Sequence, residues 1–262
     1  MSIDDKQNSI KKRRTPNKLA VKSAVNLTPN MRRVTLHGDC LATFPPNSEG
    51  AILKLLFEQP GDGRSIKRTY TLAKQRSEPN EIDVDFMLHT GTDCSSHGIA
   101  APWSLDAQPN DEISFFGPGP AKFINLDAEC FLLAADMTAL PALTANLKLL
   151  PANARGKAFI EILSEADKQD LQKPENVDIA WVINEAPGSD KSPLFHAIHE
   201  AEWQTGKLAV WAACEFITMK KIRQFLKVER GIEKSHLYIA SYWKKGATGE
   251  EHKIAEQADA SE

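Results

Sequence analysis

The chain has 262 residues and a formal net charge of −3; 42% of its residues are apolar and 26% charged, the balance of a globular protein rather than a disordered or fibrous one. That charge leaves no basic footprint of the kind wholesale nucleic-acid binding requires. No run of about 18 apolar residues is present to cross a bilayer, and the length accommodates two domains of roughly 100 to 150 residues, each with its own core.

Residues 1–18 carry the run Lys11-Lys12-Arg13-Arg14 and lack the apolar centre of a signal peptide. They are expected to form a flexible basic tail, and the protein to be cytoplasmic, without nucleic-acid partner or stable membrane association. Four cysteines, Cys40, Cys94, Cys130 and Cys214, stand far apart with no C-x-x-C pair. They lack the spacing of a zinc or iron–sulfur site and are expected to be reduced. Any electron transfer must therefore run through an organic cofactor.

From residue 19 to 125 the chain reads as short strands broken by turn clusters: LAVKSAVNLT, RRVTLHG, AILKLLFE, RTYTLA, EIDVDFMLH and DEISFFG, with FPPNSEG, QPGDG and SEPNE between them. Six short strands with little helix predict an antiparallel barrel. In the fourth, alternation puts Arg68 and Tyr70 on one face and Thr69 and Thr71 on the other. In the fifth it aligns Asp83, Asp85, Met87 and His89. Asp85 and His89 are too few to fill a metal's coordination shell, so no metal site is expected. At Gly98-Ile99-Ala100-Ala101-Pro102-Trp103 a loop turns into a helix, with proline near the first turn, where its missing N–H costs nothing. Free N–H groups there face outward and suit an anion.

After GPGPAKF the texture changes, and the domain boundary falls near Asn125. CFLLAAD, GKAFIEIL, DIAWVIN, KLAVWAAC and HLYIASYW are apolar strands, interleaved with helices over TALPALTANLKLL, SPLFHAIHEAEWQ and TMKKIRQFLKVE. That alternation predicts an α/β domain over 126–262 with a parallel sheet covered on both faces. The last stretch, GEEHKIAEQADASE, reads as a polar helix or a tail. Asp136 and Thr138 sit where a strand ends and a helix begins, with capping chemistry, at the edge where α/β sheets bind ligands. His196 and His199 read as surface residues. No G-x-G-x-x-G fingerprint is present.

A barrel followed by such a domain resembles the ferredoxin-reductase superfamily. Within it, several stretches together resemble the siderophore-interacting proteins, FAD-dependent ferric-siderophore reductases. These are RTYT at 68–71, LTPNMRRVTLHGD at 27–39, DVDFMLH at 83–89, HGIAAPWSLDAQPND at 97–111, AADMTALPAL at 134–143 and SYWKKGAT at 241–248. The resemblance implies an N-terminal FAD-binding barrel and a C-terminal NAD(P)H-binding domain. It implies that Arg68 meets the flavin's phosphate, Tyr70 packs on its ring and Thr71 reaches its N5 edge, with Thr69 between them. Asp85, His89, Gly98, Ile99, Ala100, Ala101 and Trp103 complete the implied FAD contacts on the barrel. Asp136, Thr138, Ala139, Tyr242 and Trp243 complete them at the flavin–nicotinamide junction.

Four departures stand out. Ala101 replaces a serine, Met137 a glutamate and Cys214 a glycine, whose added bulk is expected to crowd the nicotinamide; residues 90–96 are inserted. Ser164 and Glu165 follow the second parallel strand, where an acid favours a free ribose hydroxyl, so NADH is expected over NADPH despite nearby Lys168. Lys54, Lys122, Lys244 and Lys245 are the candidate contacts to an anionic ferric siderophore. The implied reaction takes a hydride from NAD(P)H to the flavin and passes single electrons to Fe(III), with no acid–base or nucleophilic residue. The alternative is a general NAD(P)H:flavin or ferredoxin-linked flavoprotein, with a ferredoxin as donor. A flavin-free carrier is argued against by the intact Arg68, Tyr70 and Thr71.

Overall fold

The computed structural model describes residues 15–58, 65–88, 98–203 and 205–259. The basic tail up to residue 14, His89, Cys94 and the 90–96 insertion lie outside the described residues.

Both expected architectures are present. Strands β1 (Asn17–Thr28), β2 (Met31–His37), β3 (Ile52–Glu58), β4 (Ser65–Arg76), β5 (Glu81–Met87) and β6 (Glu112–Gly119) close an antiparallel barrel in the order β1-β2-β5-β4-β3-β6. Period-two alternation fills its interior with Val34, Leu36, Leu53, Leu55, Ile82, Val84, Phe86 and Phe115. In the β3–β4 pairing, Leu53 lies opposite Tyr70 and Lys54 opposite Thr69. Tyr70 and Arg68 therefore take the core-side parity, and Thr69 shares the outer face with Lys54. On the outside of β2, β4 and β5, opposite charges pair across strands. Arg33 forks onto Asp85 with two bonds of 2.7 Å, Arg76 spans Glu81 and Asp83, and Lys22 pairs with Glu81.

The second domain is a parallel sheet of β7 (Cys130–Ala135), β8 (Arg155–Ile162), β9 (Val177–Ile183), β10 (Leu208–Glu215) and β11 (Leu237–Trp243), in the order β11-β10-β7-β8-β9. One face is covered by α2 (Leu140–Leu149), the other by α3 (Pro193–His199) and α4 (Phe216–Gln224). Two helices differ from the sequence reading. α3 stops at His199 instead of continuing to residue 204, and Trp203 instead meets the Phe225 ring at 5.6 Å and the Arg230 guanidinium at 4.1 Å. α4 begins two residues early because the Glu215 carboxylate accepts from the N–H groups of Ile217 and Thr218. The polar C-terminal stretch is a helix, α5 (Gly249–Asp259), opened by a reciprocal Thr248–Glu251 cap and tied to α4 by Asp259 with Arg223 and Lys220.

The domains are joined by an apolar seam and a polar latch. Met31, at the β1–β2 turn, is 1% exposed and belongs to the core of the second domain, with Leu27 and Met87 packed beside it. Beside that seam the fully buried Asp167 accepts from Thr28 Oγ1 (2.7 Å), Asn30 N (3.0 Å) and Asn30 Nδ2 (2.8 Å), and from both Ser164 donors. Burial alone raises a carboxyl's pKa, but the bonds from Asn30, Thr28 and Ser164 outweigh it and hold this one below the usual carboxylate range. Its stabilisation is therefore complete above the ordinary carboxylate pKa and lost as pH falls through the lowered one. Asp167→Ala is expected to cost roughly 2–4 kcal/mol in urea unfolding at neutral pH, because Asn30 and Thr28 lose a charged acceptor. The difference from wild type should shrink below about pH 4.

Candidate flavin and nucleotide site at the domain junction

On the barrel side, the Tyr70 ring packs on Phe86 at 4.5 Å, and Phe86 and Phe57 each meet Trp103 from α1 (Ala100–Asp106), at 5.7 Å and 5.5 Å. Burial pushes the Tyr70 hydroxyl well above its ordinary pKa, the nearby Arg68 charge opposing, so it stays a neutral phenol. Arg68 is half-buried and donates to the Lys67 carbonyl at 3.1 Å. A Cβ on Gly249, the first residue of α5, would lie 3.2 Å from its guanidinium. The start of α1 has no side-chain cap: Ile99 holds that position, Gly98 precedes it at φ +58°, and Ala100 and Ala101 are buried beneath. Asp85 is engaged by Arg33, with burial raising its carboxyl's pKa against that cation. Among the described residues no group of three or more His, Cys, Asp or Glu could hold a metal ion.

On the sheet side the strand order reverses between β7 and β10, and ligands of α/β domains lie beyond the strand carboxyl ends at such a point. Asp136 ends β7 there. It is 4% exposed and accepts from the Thr138 N–H (2.9 Å), the Thr138 hydroxyl and the Trp243 indole N–H (2.8 Å). It thus holds the turn before α2, whose own cap position, Ala139, has no side-chain cap. Burial raises the Asp136 pKa despite these donors. Tyr242 faces Thr71 across the junction, and burial pushes its hydroxyl upward. The flavin strand suggested by the sequence and the closing strand of the second domain therefore touch. Met137 turns into the core at 1% exposure, and Cys214 packs on the α3–α4 side with Ala134 and Phe216. The bulk that Cys214 adds thus lies in the core and does not line the slot between the domains.

Between the domains lies a slot with a cavity of about 10 Å³. Met87 from the barrel and Met137, Pro187 and Trp243 from the sheet domain give it apolar walls; Asp136 and Glu161 are its polar groups. Gly188 lets the loop after β9 close over it: at φ +72°, a Cβ would stand 2.9 Å from the Lys245 Cβ and 3.2 Å from the Trp243 ring. Glu161 and the latch residue Asp167 escaped the sequence reading. Their signals were present, an isolated acid inside the apolar strand AFIEIL and a Ser-x-x-Asp capping pattern at Ser164–Asp167.

The cationic candidates divide between the domains. Lys54 is exposed on the outer barrel face, where Lys67 stands 5.5 Å over the Phe116 ring. Lys122 is exposed on the linker, whose carbonyl at that residue accepts from Trp211 at 2.8 Å. Lys244 lies 5.0 Å over Phe216, and Lys245 is exposed beside Gly188. Beyond β8, Glu165 and Lys168 pair with each other. His196 and His199 are exposed and pack against Phe195.

Residues 128–246 match the model of the siderophore-interacting protein family, and residues 20–63 and 58–122 match that of the siderophore-interacting FAD-binding domain. The chain belongs to the siderophore-interacting protein family. Its fold is that of a ferredoxin-NADP+ reductase from Plasmodium falciparum, which superposes with a TM-score of 0.62 at 15% identity, covering 87% of this chain and 96% of that one. Over 243 residues this family member is 29% identical to the ferric vibriobactin reductase ViuB of Vibrio cholerae, covering 86% of this chain and 88% of that one. It is 30% identical to a ferric acinetobactin reductase of Acinetobacter baumannii over 200 residues, covering 76% and 68%. The crystal structure of the siderophore-interacting protein SipS from Aeromonas hydrophila superposes with a TM-score of 0.82 at 27% identity, covering 94% and 98%.

The residues at the barrel mouth fit FAD. Arg68 offers a forked donor with one hydrogen bond among the described residues, the α1 start offers uncapped N–H groups, and Tyr70 and Trp103 offer aromatic surface. Arg68→Ala is expected to weaken FAD retention roughly 10- to 100-fold, the loss of a charged hydrogen-bonding partner, read from free-flavin fluorescence on dilution.

Proposed function

We propose that the chain is a ferric-siderophore reductase, passing electrons from NAD(P)H through bound FAD to siderophore-chelated Fe(III) and releasing Fe(II). The relatives' names supply the substrate class. The observation that carries the reading is the Thr71–Tyr242 contact, which joins the flavin strand to the carboxyl edge of the parallel sheet. Bound FAD supplies the exchange between a hydride's two electrons and the single electrons iron accepts. The protein's own residues bind and orient. Arg68 and the α1 start, residues 98–101, hold phosphate, while Tyr70 supports the ring and Trp103 backs it through Phe86. Thr69, Thr71 and Asp85 fix the isoalloxazine end from the barrel. Asp136, Thr138, Ala139, Tyr242 and Trp243 shape the nucleotide's approach from the other side.

No protein ligand to iron is required, because the siderophore already encloses it. Lys54, Lys122, Lys244 and Lys245 attract the anionic complex and hold it near the flavin edge. Fe(II) fits the siderophore's hard oxygen ligands less well than Fe(III), so reduction frees it. NADH is the proposed donor over NADPH: Glu165 lies beyond β8, and its pairing with Lys168 takes up the nearest cation that would otherwise read a 2′-phosphate. No described helix is long and apolar enough to cross a membrane, and we place the reaction in the cytoplasm, in keeping with the free Cys40, Cys130 and Cys214.

Anaerobic mixing with NADH, a ferric siderophore and a ferrous chelator tests this. Flavin absorbance should bleach with NADH and recover as the Fe(II) complex appears, with kcat/KM for NADH above that for NADPH. Bleaching only by a chemical reductant would point to a protein donor such as a ferredoxin. A protein that carries no flavin would overturn the proposal.

A further inference from the structure

Of the two described acids that line the slot, Asp136 and Glu161, Glu161 is the one that the proposed reaction leaves unused. It lies near the end of β8 and is 6% exposed. Its Oε2 has no hydrogen-bond partner among the described residues, and the Asn184 side chain and the Leu194 backbone N–H are the neutral polar groups facing the carboxylate. Asn184 is fixed as donor because its own carbonyl oxygen accepts from Ala186 N at 3.1 Å. A buried carboxylate oxygen without a partner costs about 1–3 kcal/mol or more, so this one calls for a partner from the slot, a water or a group that enters. It lines the slot between Asp136 and the Trp243–Pro187 wall. The cavity, about 10 Å³, holds no more than one water. A larger ligand must therefore stand at the mouth, against Met87 and Trp243, with the carboxylate beneath it.

The groups facing Glu161 make the site negative. Asp136 comes from β7 and Glu215 from β10; Cys214, also on β10, is held as a neutral thiol by burial. β9 contributes the neutral Asn184 and α3 a backbone N–H; the α3 histidines pack against Phe195 instead. Of the lysines after β11, Lys244 lies over Phe216, while the Lys245 backbone N–H donates to Glu215 at 3.4 Å and its side chain runs past Gly188 at the rim of the slot as the one nearby cation among the described residues. A slot with apolar walls and an acidic floor favours a flat ring bearing positive charge over the same ring uncharged.

We propose that Glu161 matches the charge change of the electron donor: its free carboxylate oxygen stabilises the pyridinium that hydride loss leaves on the nicotinamide. This rests on NAD(P)H being the donor. In that step the C4–H bond breaks and the hydrogen leaves with both bonding electrons for the flavin. The nicotinamide ring gains one positive charge and the flavin one negative. Glu161 touches neither transferred atom; it is a positioning residue acting through its field. Burial, the Asp136 charge and then the Glu215 charge push its carboxyl up to about 7, with Asn184 and Leu194 opposing. A cation at the mouth draws it toward the ionised form, so oxidised nucleotide should bind with release of a proton.

The test is calorimetric titration of the FAD-loaded protein with NAD+ and with 1,4,5,6-tetrahydro-NADH, an unreactive analogue with an uncharged ring. Between about pH 6 and pH 8 the Kd for NAD+ should tighten roughly tenfold while that for the analogue stays level, as expected when only the ionised acid binds well. In Glu161→Gln the NAD+ slope should vanish and its affinity stay near the wild-type value at the acidic end. Should that variant fold poorly, the wild-type protein decides alone: in buffers of different ionisation enthalpy, NAD+ binding near pH 7 should release about half a proton and analogue binding none. If both ligands bind with identical pH profiles and no proton is released, the role of Glu161 is wrong and the donor stands. If neither binds, the donor itself is wrong and this inference falls with it.

Discussion

The architecture depends on the burial of barrel residues inside the other domain's core. Met31, at the tip of the β1–β2 turn, is packed with Met137, Leu133 and Ile162, and Leu27 and Met87 extend the same seam. An apolar seam fixes distance well and register poorly, because dispersion is non-directional. Asp167 supplies the direction with three donors from Thr28 and Asn30. Electron transfer between a flavin on the barrel and a nucleotide on the sheet needs that register, since a misplacement of about 1 Å can cost a hundredfold in rate. The Thr71–Tyr242 contact then forms where the seam opens toward the flavin strand.

Polar chemistry is concentrated where the parallel strands end. Asp136, Glu161 and Glu215 leave three neighbouring strands at one edge, yet each is treated differently. Glu215 caps α4, Asp136 is bonded by Thr138 and Trp243, and Glu161 keeps one oxygen unpaired. Buried acids in a sheet edge destabilise a fold unless something answers them. Here helix N–H groups, an indole and, in our reading, a transient positive charge do so. Of the two residues that distinguish this chain from its family's pattern, Cys214 sits in the core beneath this edge, while Met137, buried as it is, also forms part of the apolar wall of the slot.

Much of this was legible in the sequence, for identifiable reasons. The six barrel strands follow from period-two alternation, and the sheet strands from runs apolar on both faces. RTYT at 68–71 could be assigned faces because β3 pairs with it in simple register, Leu53 to Tyr70 and Lys54 to Thr69. Other features need three dimensions. The end of α3 at His199 is set by the attraction of Trp203 to Phe225 and Arg230, which are distant in sequence. The Asp85–Arg33 fork depends on the β2–β5 register. Asp167 and Glu161 looked like a loop acid and a strand acid, and only their burial separates them from solvated neighbours such as Glu165.

The central claim is that a flavin held by this chain reduces iron inside a siderophore. It is tested most directly by photoreducing the FAD-loaded protein without oxygen and mixing it in a stopped-flow instrument with ferric tris-catecholate and ferric hydroxamate siderophores. The account predicts that flavin absorbance returns with at least one of them, with one Fe(II) formed for each electron the flavin held. Reduced flavin that persists with every ferric siderophore, yet is promptly oxidised by admitted oxygen, would contradict it.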